Sequence, residues 1–316
     1  MSNEHEDRRS DSNHSSESPD DRIHRFVGEY ELLDVVGRGG MGVVHRARHR
    51  ELGHIVALKF LGPGRQADLV EIGRFRREAE ALSHLDHPRI VPISSFGNHE
   101  GRPYFTMPLC DYGSLDQQLS RFTHRPREAA RIVREAARGV HHAHQWGILH
   151  RNLKPSKILL DERGEPRVAD FGLARMLGEP CDLTPTGNIL GSLPYVSPEA
   201  CLGRAEEVNT LSDGYGLGAI LYALSTAQAP FGSSSTAVTI ERIVIDDPPP
   251  PRRTHPGIPR DLETICLKCL ENSQADRYDS AYALADDLGR FLEGYPIEGR
   301  RVGGLRRLQL WTARRP

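Results

Sequence analysis

The sequence lacks the long apolar run that a membrane-spanning helix requires. The segment 214–240 carries no charge, but it contains a glutamine, a proline and a run of serines, and only residues 217–224 are densely apolar. A helix that crosses a bilayer needs about 20 apolar residues. A buried core helix is therefore predicted for this segment.

Cysteine and net charge are also low. The five cysteines are odd in number and scattered, unlike a secreted disulfide framework, which favours a reducing, cytoplasmic location. The 41 basic and 43 acidic side chains leave a net charge of -2, which argues against a protein that binds nucleic acid by neutralising phosphates. Residues 1–25 are polar and do not form a signal peptide, so we predict a disordered tail.

The remaining pattern predicts two regions of different architecture. Runs of strand-favouring residues at 32–36, 43–47 and 55–59, separated by glycine-bearing turns, predict an antiparallel meander. Helical spacing follows at 69–85 and at 128–147. The sequence thus predicts an α+β protein, which we divide into the polar tail, a β-rich lobe, a mainly helical lobe and a basic amphipathic tail, at 1–25, 26–107, 108–297 and 298–316.

A glycine-rich segment lies between the first two predicted strands. Gly37, Gly39 and Gly42, followed by Val44, fit the pattern G-x-G-x-x-G-x-V. Glycine there lets the backbone approach phosphate groups closely. Alone, the triplet is better explained as a hairpin turn, and the strand that follows it argues against a Rossmann site, where a helix follows.

Further motifs follow in order along the chain. Val-Ala-Leu-Lys ends at Lys59, and Glu78 lies on the next predicted helix, where it could pair with that lysine. His150 opens the segment His-Arg-Asn-Leu-Lys-Pro-Ser-Lys, Asp170 opens Asp-Phe-Gly, and Ser197 opens Ser-Pro-Glu. From residue 26 to residue 296 the chain therefore resembles bacterial serine/threonine protein kinases.

The resemblance implies a two-lobed protein-kinase fold that binds ATP and magnesium. It implies that Asp170 holds the metal, that Asp213 braces the catalytic loop and that Arg277 pairs with Glu199. The residues that the resemblance assigns to ATP are Gly37, Gly39, Gly42, Val44, Ala57, Lys59, Glu78, Met107 as gatekeeper, Pro108 through its carbonyl, Cys110 through its N–H, and Lys157.

Two positions of the catalytic loop depart from the family pattern H-R-D-L-x-x-x-N. Asn152 replaces the carboxylate that orients or accepts the substrate hydroxyl proton, and Lys157 replaces a magnesium-binding amide. An ammonium group cannot coordinate Mg²⁺, but it could replace one ion by contacting the phosphates. Asp170 is then left to hold a single, dispensable magnesium ion.

These departures favour an ATP-binding signalling pseudokinase with weak or no phosphotransfer. The alternative is an active Ser/Thr kinase that phosphorylates protein hydroxyls, because Lys59, Lys154 and Asp170 are present and phosphoryl transfer relies on positioning and electrostatics. A second alternative is a scaffold that the basic segment 298–316 recruits to a membrane surface or a protein partner.

The activation segment contains hydroxyl residues of interest. Thr184 and Thr186 are candidate phosphorylation sites that Arg151 could contact, and Ser192 matches a hydroxyl that Ser/Thr kinases place near the catalytic loop. For either threonine, an ordinary loop hydroxyl is the simpler interpretation.

Two groups of metal-binding residue types also have simpler explanations. His141, His142 and His144 are predicted to lie on the helix that enters the catalytic loop, rather than around a zinc ion. Cys266 and Cys269 form a C-x-x-C pair with no second pair to complete a site. Two half-buried helix cysteines are predicted.

Overall fold

The computed structural model describes residues 26–39, 42–60, 82, 84–171, 192–233 and 235–299. Within these residues, a six-stranded antiparallel sheet is followed by a mainly helical region. The predicted two-lobed α+β fold is confirmed. The predicted helix at 69–85 and both predicted tails lie largely outside the described residues, and the proposed division at 107/108 stays a prediction.

The sheet belongs to the first lobe. Its strands are β1 (Phe26–Val27), β2 (Tyr30–Gly39), β3 (Gly42–His49), β4 (Ile55–Phe60), β5 (Ser95–His99) and β6 (Arg102–Pro108), in the spatial order β1-β2-β3-β4-β6-β5. Side chains alternate between the two faces of a strand. On β4, Val56, Leu58 and Phe60 pack into one apolar cluster, so Ala57 and Lys59 face the opposite side.

The second lobe is built from helices. The described helices are α1 (Leu119–Phe122), α2 (Pro126–Gln145), α3 (Pro198–Cys201), α4 (Thr210–Thr226), α5 (Thr236–Ile245), α6 (Pro251–Thr254), α7 (Arg260–Cys269) and α8 (Ala281–Glu293). α2 overlaps the predicted helix at 128–147 and starts at a proline, whose fixed φ and missing N–H suit a first helical turn. Its alanine-rich face is buried, so neighbouring helices pack closely against it.

The uncharged segment noted in the sequence supplies the central helix. α4 is buried from Tyr215 to Thr226, which confirms the prediction of a core helix. Asn209 caps its first turn by accepting a hydrogen bond from the N–H of Leu211 at 2.8 Å. Across the described part of the chain, no helix combines enough length with enough apolar character to span a bilayer.

The prediction of half-buried cysteines on α7 is wrong. Cys266 and Cys269 are 1% and 2% exposed. The cause is the close approach of α7 to α4 at Gly218, where an added Cβ would lie 2.3 Å from the Cβ of Cys269. The small residue on α4 lets the backbones approach, and the cysteines become core residues.

A two-stranded sheet connects the two lobes near the catalytic loop. Its strands are β7 (Ile158–Leu160) and β8 (Pro166–Val168). The N–H of Val91 donates to the carbonyl of Val168 at 2.9 Å, and the N–H of Val168 donates to the carbonyl of Arg89 at 2.8 Å. These bonds fix the segment after β8, which carries Asp170, relative to the first lobe.

Candidate active site

The register of the large sheet brings the predicted ATP-binding residues together. Gly37 pairs with Val44, Val44 pairs with Lys59, and Ala57 pairs with Met107. Residues directly opposite each other in antiparallel strands point to the same face. The side chains of Val44, Ala57, Lys59 and Met107 therefore share the face of the sheet on which Gly37 lies. Gly39 pairs with Gly42, whose positive φ of 126° is a conformation that suits glycine.

The segment after β6 continues along the same edge. Pro108, the last residue of β6, is exposed and pairs with Val56, and the use of its carbonyl by ATP stays a prediction. The carbonyl of Cys110 accepts a hydrogen bond from the N–H of Gly113 at 3.3 Å. Burial raises the pKa of the Cys110 thiol, which keeps it protonated near neutral pH.

The catalytic loop is held by a buried carboxylate of α4. Asp213 accepts hydrogen bonds from the backbone N–H groups of His150 and Arg151, both at 2.8 Å, and lies 2.8 Å from Nε2 of His144. Burial alone would raise the pKa of Asp213, but the hydrogen bond and charge of His144 and the backbone donors lower it. The predicted bracing role of Asp213 matches this geometry.

His150 connects the catalytic loop to the segment of Asp170. Its Nε2 lies 3.0 Å from the carbonyl of Ala169, and its Nδ1 accepts from the N–H of Asn152 at 3.3 Å. Burial lowers the pKa of His150, so the ring is neutral and these two partners set its tautomer, with the proton on Nε2. Phe171 packs on the ring with centroids 4.9 Å apart.

Asp170 lies between two lysines. Nζ of Lys59 is 2.8 Å from Oδ1 of Asp170, and Nζ of Lys157 donates to Oδ2. Burial alone would raise the pKa of this carboxyl, but the two ammonium groups hold it well below its usual range. Lys157 was predicted to contact nucleotide phosphates, and the structure places it on the carboxylate that was predicted to bind metal.

The other lysine of the catalytic loop, Lys154, faces the activation segment. Nζ of Lys154 donates to Oγ of Ser192, so the predicted proximity of Ser192 to the catalytic loop is present. Burial, followed by repulsion from Lys157, lowers the pKa of Lys154 to about 8. Asn152, at the position of the family carboxylate, is half-buried.

The donors around Asp170 suit a magnesium ion poorly. Mg²⁺ binds oxygen ligands at short range in octahedral geometry. Here the carboxylate is already contacted by Lys59 and Lys157, and Lys157 replaces the second oxygen donor of the family pattern. A magnesium ion held by Asp170, as predicted, would therefore have to compete with the ion pairs that Lys59 and Lys157 form with this carboxylate.

Several predicted site residues lie outside the described part of the chain. They are Glu78, Thr184 and Thr186. His141, His142 and His144 lie on α2 as predicted, and the described residues contain no group of three or more metal-binding side chains. The link from His150 to Ala169 and the two-lysine contact of Asp170 were not predicted, because both join segments that are separate in sequence.

The predicted pair at the end of the activation segment is formed. Both terminal nitrogens of Arg277 donate to Glu199, each at 2.9 Å, and the hydroxyl of Ser212 also donates to Glu199. The pair is buried, with Arg277 3% and Glu199 4% exposed. It ties α3 to the segment between α7 and α8.

Comparison with known proteins agrees with this architecture. Residues 30–288 match the family described as protein kinase domain. The serine/threonine-protein kinase PknB of Mycobacterium leprae is 36% identical over 278 residues, which cover 86% of this chain and 44% of that protein. The serine/threonine-protein kinase PrkC of Bacillus subtilis is 35% identical over 266 residues, which cover 84% of this chain and 40% of that protein.

A solved structure of a kinase domain is also similar to this chain. The kinase domain of PknI of Mycobacterium tuberculosis matches with a TM-score of 0.64 and 26% identity, covering 83% of this chain and 96% of that one. The chain belongs to the protein kinase family and carries a domain of the bacterial Ser/Thr kinase type. It spans less than half the length of the curated relatives named above.

Proposed function

We propose that this chain is a nucleotide-binding domain of the Ser/Thr kinase family that acts in signalling, with weak or no phosphotransfer. One observation carries the proposal: the carboxylate of Asp170 is paired with Lys157, while the other catalytic carboxylate is replaced by Asn152. Nucleotide binding and catalysis make different demands on these positions. Binding needs a cleft with phosphate donors, whereas transfer also needs a group that accepts or orients the substrate proton.

Retained nucleotide binding rests on the first lobe. Gly37, Val44, Ala57 and Lys59 share one face of the sheet, next to the predicted gatekeeper Met107. Lys59 is 4% exposed and is held by Asp170, so its ammonium group is positioned before a ligand arrives. Such pre-ordering lowers the cost of immobilising side chains on binding.

Weak transfer follows from the chemistry of the loop. An amide at position 152 has neither the negative charge nor the basicity of a carboxylate. Loss of a general base slows a reaction by about 100- to 10,000-fold. Lys157 also places a positive charge where the family pattern has a metal ligand, so two groups that act on one transition state are altered together.

An active Ser/Thr kinase is the second candidate, and the loop geometry favours it. Asp213 accepts hydrogen bonds from the backbone of His150 and Arg151, and Lys154 contacts Ser192. These contacts fix the catalytic loop even though two of its positions depart from the family pattern. The named relatives are serine/threonine-protein kinases. On this reading the substrates are ATP and protein hydroxyls, and a bound Mg²⁺ would need Asp170 to release Lys157.

The remaining assignments extend the same proposal. We place the protein in the cytoplasm, with a protein partner or substrate and no nucleic-acid partner. The basic segment 298–316 would provide any contact with an anionic membrane surface.

Transfer from radiolabelled ATP to a generic basic protein tests the proposal. Wild type should show little transfer above an Asp170→Ala control, and Asn152→Asp combined with Lys157→Asn should raise it by about 100-fold or more. Each single change should restore much less, because both groups act on one transition state. Wild type as fast as the double variant would refute the proposal and support the active kinase.

A thermal-shift assay tests the binding part separately. ATP should raise the melting temperature of wild type, since a ligand that binds only the folded state stabilises it, by about 2.7 kcal/mol at a hundredfold excess over Kd. Lys59→Ala should reduce the shift. No shift with or without magnesium would exclude nucleotide binding.

A further inference from the structure

The cleft contains more cationic side chains than it has described carboxylates to pair with them. Lys59 and Lys157 both contact Asp170, and the pKa of Lys154, which burial lowers most, also responds to the charges of Lys157, Asp116, Asp170 and Lys59. Among the described residues, three lysines therefore lie near two carboxylates, Asp170 and Asp116, beside the neutral Asn152.

The use of lysine here is unusual for this chain. Of its 41 basic side chains only four are lysines, at 59, 154, 157 and 268. Three of these four line the cleft, and Lys268 lies on α7 over the ring of Tyr278. Lysine differs from arginine in carrying a compact charge on a flexible stem, which suits contact with a phosphate oxygen in a confined site.

The two departures from the family pattern change the charge of the cleft in the same direction. Asn152 in place of a carboxylate removes one negative charge, and Lys157 in place of an amide adds one positive charge. Together they add the charge of one divalent cation. Lys157 also removes an oxygen donor that a divalent cation would need, and it donates to the carboxylate of Asp170. At this position the poor fit to magnesium and the gain of positive charge therefore have the same origin.

We propose, on the basis of the proposed nucleotide-binding function, that the cleft binds nucleoside polyphosphates as free anions, with Lys157 supplying the positive charge that a magnesium ion supplies elsewhere. An ammonium group has three donors, so Lys157 can hold Asp170 and still donate to a phosphate. Magnesium bound to the phosphates reduces the negative charge of the nucleotide. It therefore weakens the attraction to the three lysines and competes with Lys157 for Asp170.

The proposal is tested by the affinity for ATP and ADP, measured by calorimetry in excess EDTA and in excess magnesium. Wild type should bind in EDTA at least as tightly as in magnesium. Lys157→Asn should weaken binding in EDTA by about 10- to 100-fold, the contribution of a charged hydrogen bond, and should make binding depend on magnesium. Lys157→Arg should retain most of the affinity in EDTA, and Lys268→Asn, which removes the lysine outside the cleft, should behave like wild type.

Amine footprinting gives an independent readout. A lysine-reactive reagent followed by mass spectrometry can follow all four lysines in one sample. ATP in EDTA should protect Lys154 and Lys157 from modification and leave Lys268 unchanged as the internal reference. Lys157 that stays reactive while ATP is bound would contradict its assigned role.

The outcomes separate the two proposals. Binding that is tenfold or more tighter in magnesium than in EDTA would overturn metal-free binding and leave the nucleotide-binding function in place. Unchanged affinity of Lys157→Asn in EDTA would also overturn the role of Lys157. Absence of binding in both conditions would overturn the proposed function itself.

Discussion

Two charged regions of this domain differ in how their charges are balanced. In the second lobe, Glu199 receives both terminal nitrogens of Arg277 and a serine hydroxyl, and Asp213 receives two backbone N–H groups and the ring of His144. We call these two sets of contacts the scaffold. In the cleft, Asp170 is shared by two ammonium groups and has a third nearby.

This difference in charge balance indicates that the scaffold charges stabilise the fold and that the cleft charges are available to bind a ligand. Each scaffold carboxylate is matched by donors within the protein, so removing one partner leaves a buried charge without compensation. Among the residues that the structure describes, the cleft has more lysines than carboxylates, and removing one lysine relieves repulsion while Asp170 keeps another partner. Removing a charged partner should therefore cost much stability in the scaffold and little in the cleft.

The largest loss of stability is expected for Arg277→Met. The buried carboxylate of Glu199 would lose its charged partner, at a cost of roughly 3–5 kcal/mol. The melting temperature should fall by about 10 °C for a domain of this size. Arg204→Met, which breaks an exposed pair with Glu207, is the matched control and should cost about 0–1 kcal/mol. Equal effects of the two variants would contradict the scaffold assignment.

A smaller loss is expected for Asp213→Asn. The amide has one acceptor oxygen where the carboxylate serves His150, Arg151 and His144, so roughly 1–3 kcal/mol should be lost in urea unfolding. Asp286→Asn, which alters an exposed pair with Arg290, should change little. A neutral Asp213→Asn would mean that the loop keeps its conformation without the carboxylate.

Lowering the pH should reduce the stability that Glu199 contributes to the scaffold. Burial alone would raise the pKa of Glu199, but Arg277 lowers it to about 2, from an ordinary value of 4.5. The folded state thus holds the proton less tightly than the unfolded state, and the resulting stability is present above about pH 4.5 and lost as pH falls toward 2. As pH falls from about 4.5 toward 2, the difference between the free energies of unfolding of wild type and Glu199→Gln should become smaller. A constant difference would show that Glu199 does not titrate as described.

In the cleft, Lys157→Met should change the stability of the nucleotide-free protein by less than about 1 kcal/mol. Asp170 keeps Lys59, and repulsion among the three lysines decreases. Chemical unfolding beside Arg277→Met measures the contrast directly. A loss as large as that of Arg277→Met would show that the cleft lysine serves stability, and the distinction between the regions would fail.

The smallest expected effect is a shift in the reactivity of Lys154. Its pKa is lowered to about 8 by burial and then by Lys157, so the reactive neutral amine should appear as pH rises through about 8. Lys157→Met removes one of the causes that lower the pKa of Lys154, so it should move the modification profile to higher pH. Mass spectrometry of the modified peptide would record the profile, and an unmoved profile would exclude coupling between the two lysines.

Local patterns in the sequence predicted a β-rich region followed by a helical one, although strands β1, β5 and β6 of the large sheet were not predicted. The antiparallel strands, the helix before the catalytic loop and the uncharged core helix follow from periodicity and from turn residues, which act over a few neighbouring positions. Ordered motifs then predicted the site residues and the pairing of Arg277 with Glu199, because their spacing matched a known family. The burial of Cys266 and Cys269 was not predictable, since it depends on Gly218 of another helix.

The residue identities alone establish that the catalytic loop has an amide at Asn152 in place of a carboxylate and an ammonium group at Lys157 in place of an amide. They could not determine where that ammonium group lies, because a flexible lysine side chain can reach a phosphate or a carboxylate. Only the tertiary structure brings β7, β8 and the catalytic loop together and places Lys157 on Asp170, opposite Lys59. Charge balance in a cleft is a sum over segments that are distant in sequence, so only folding decides it.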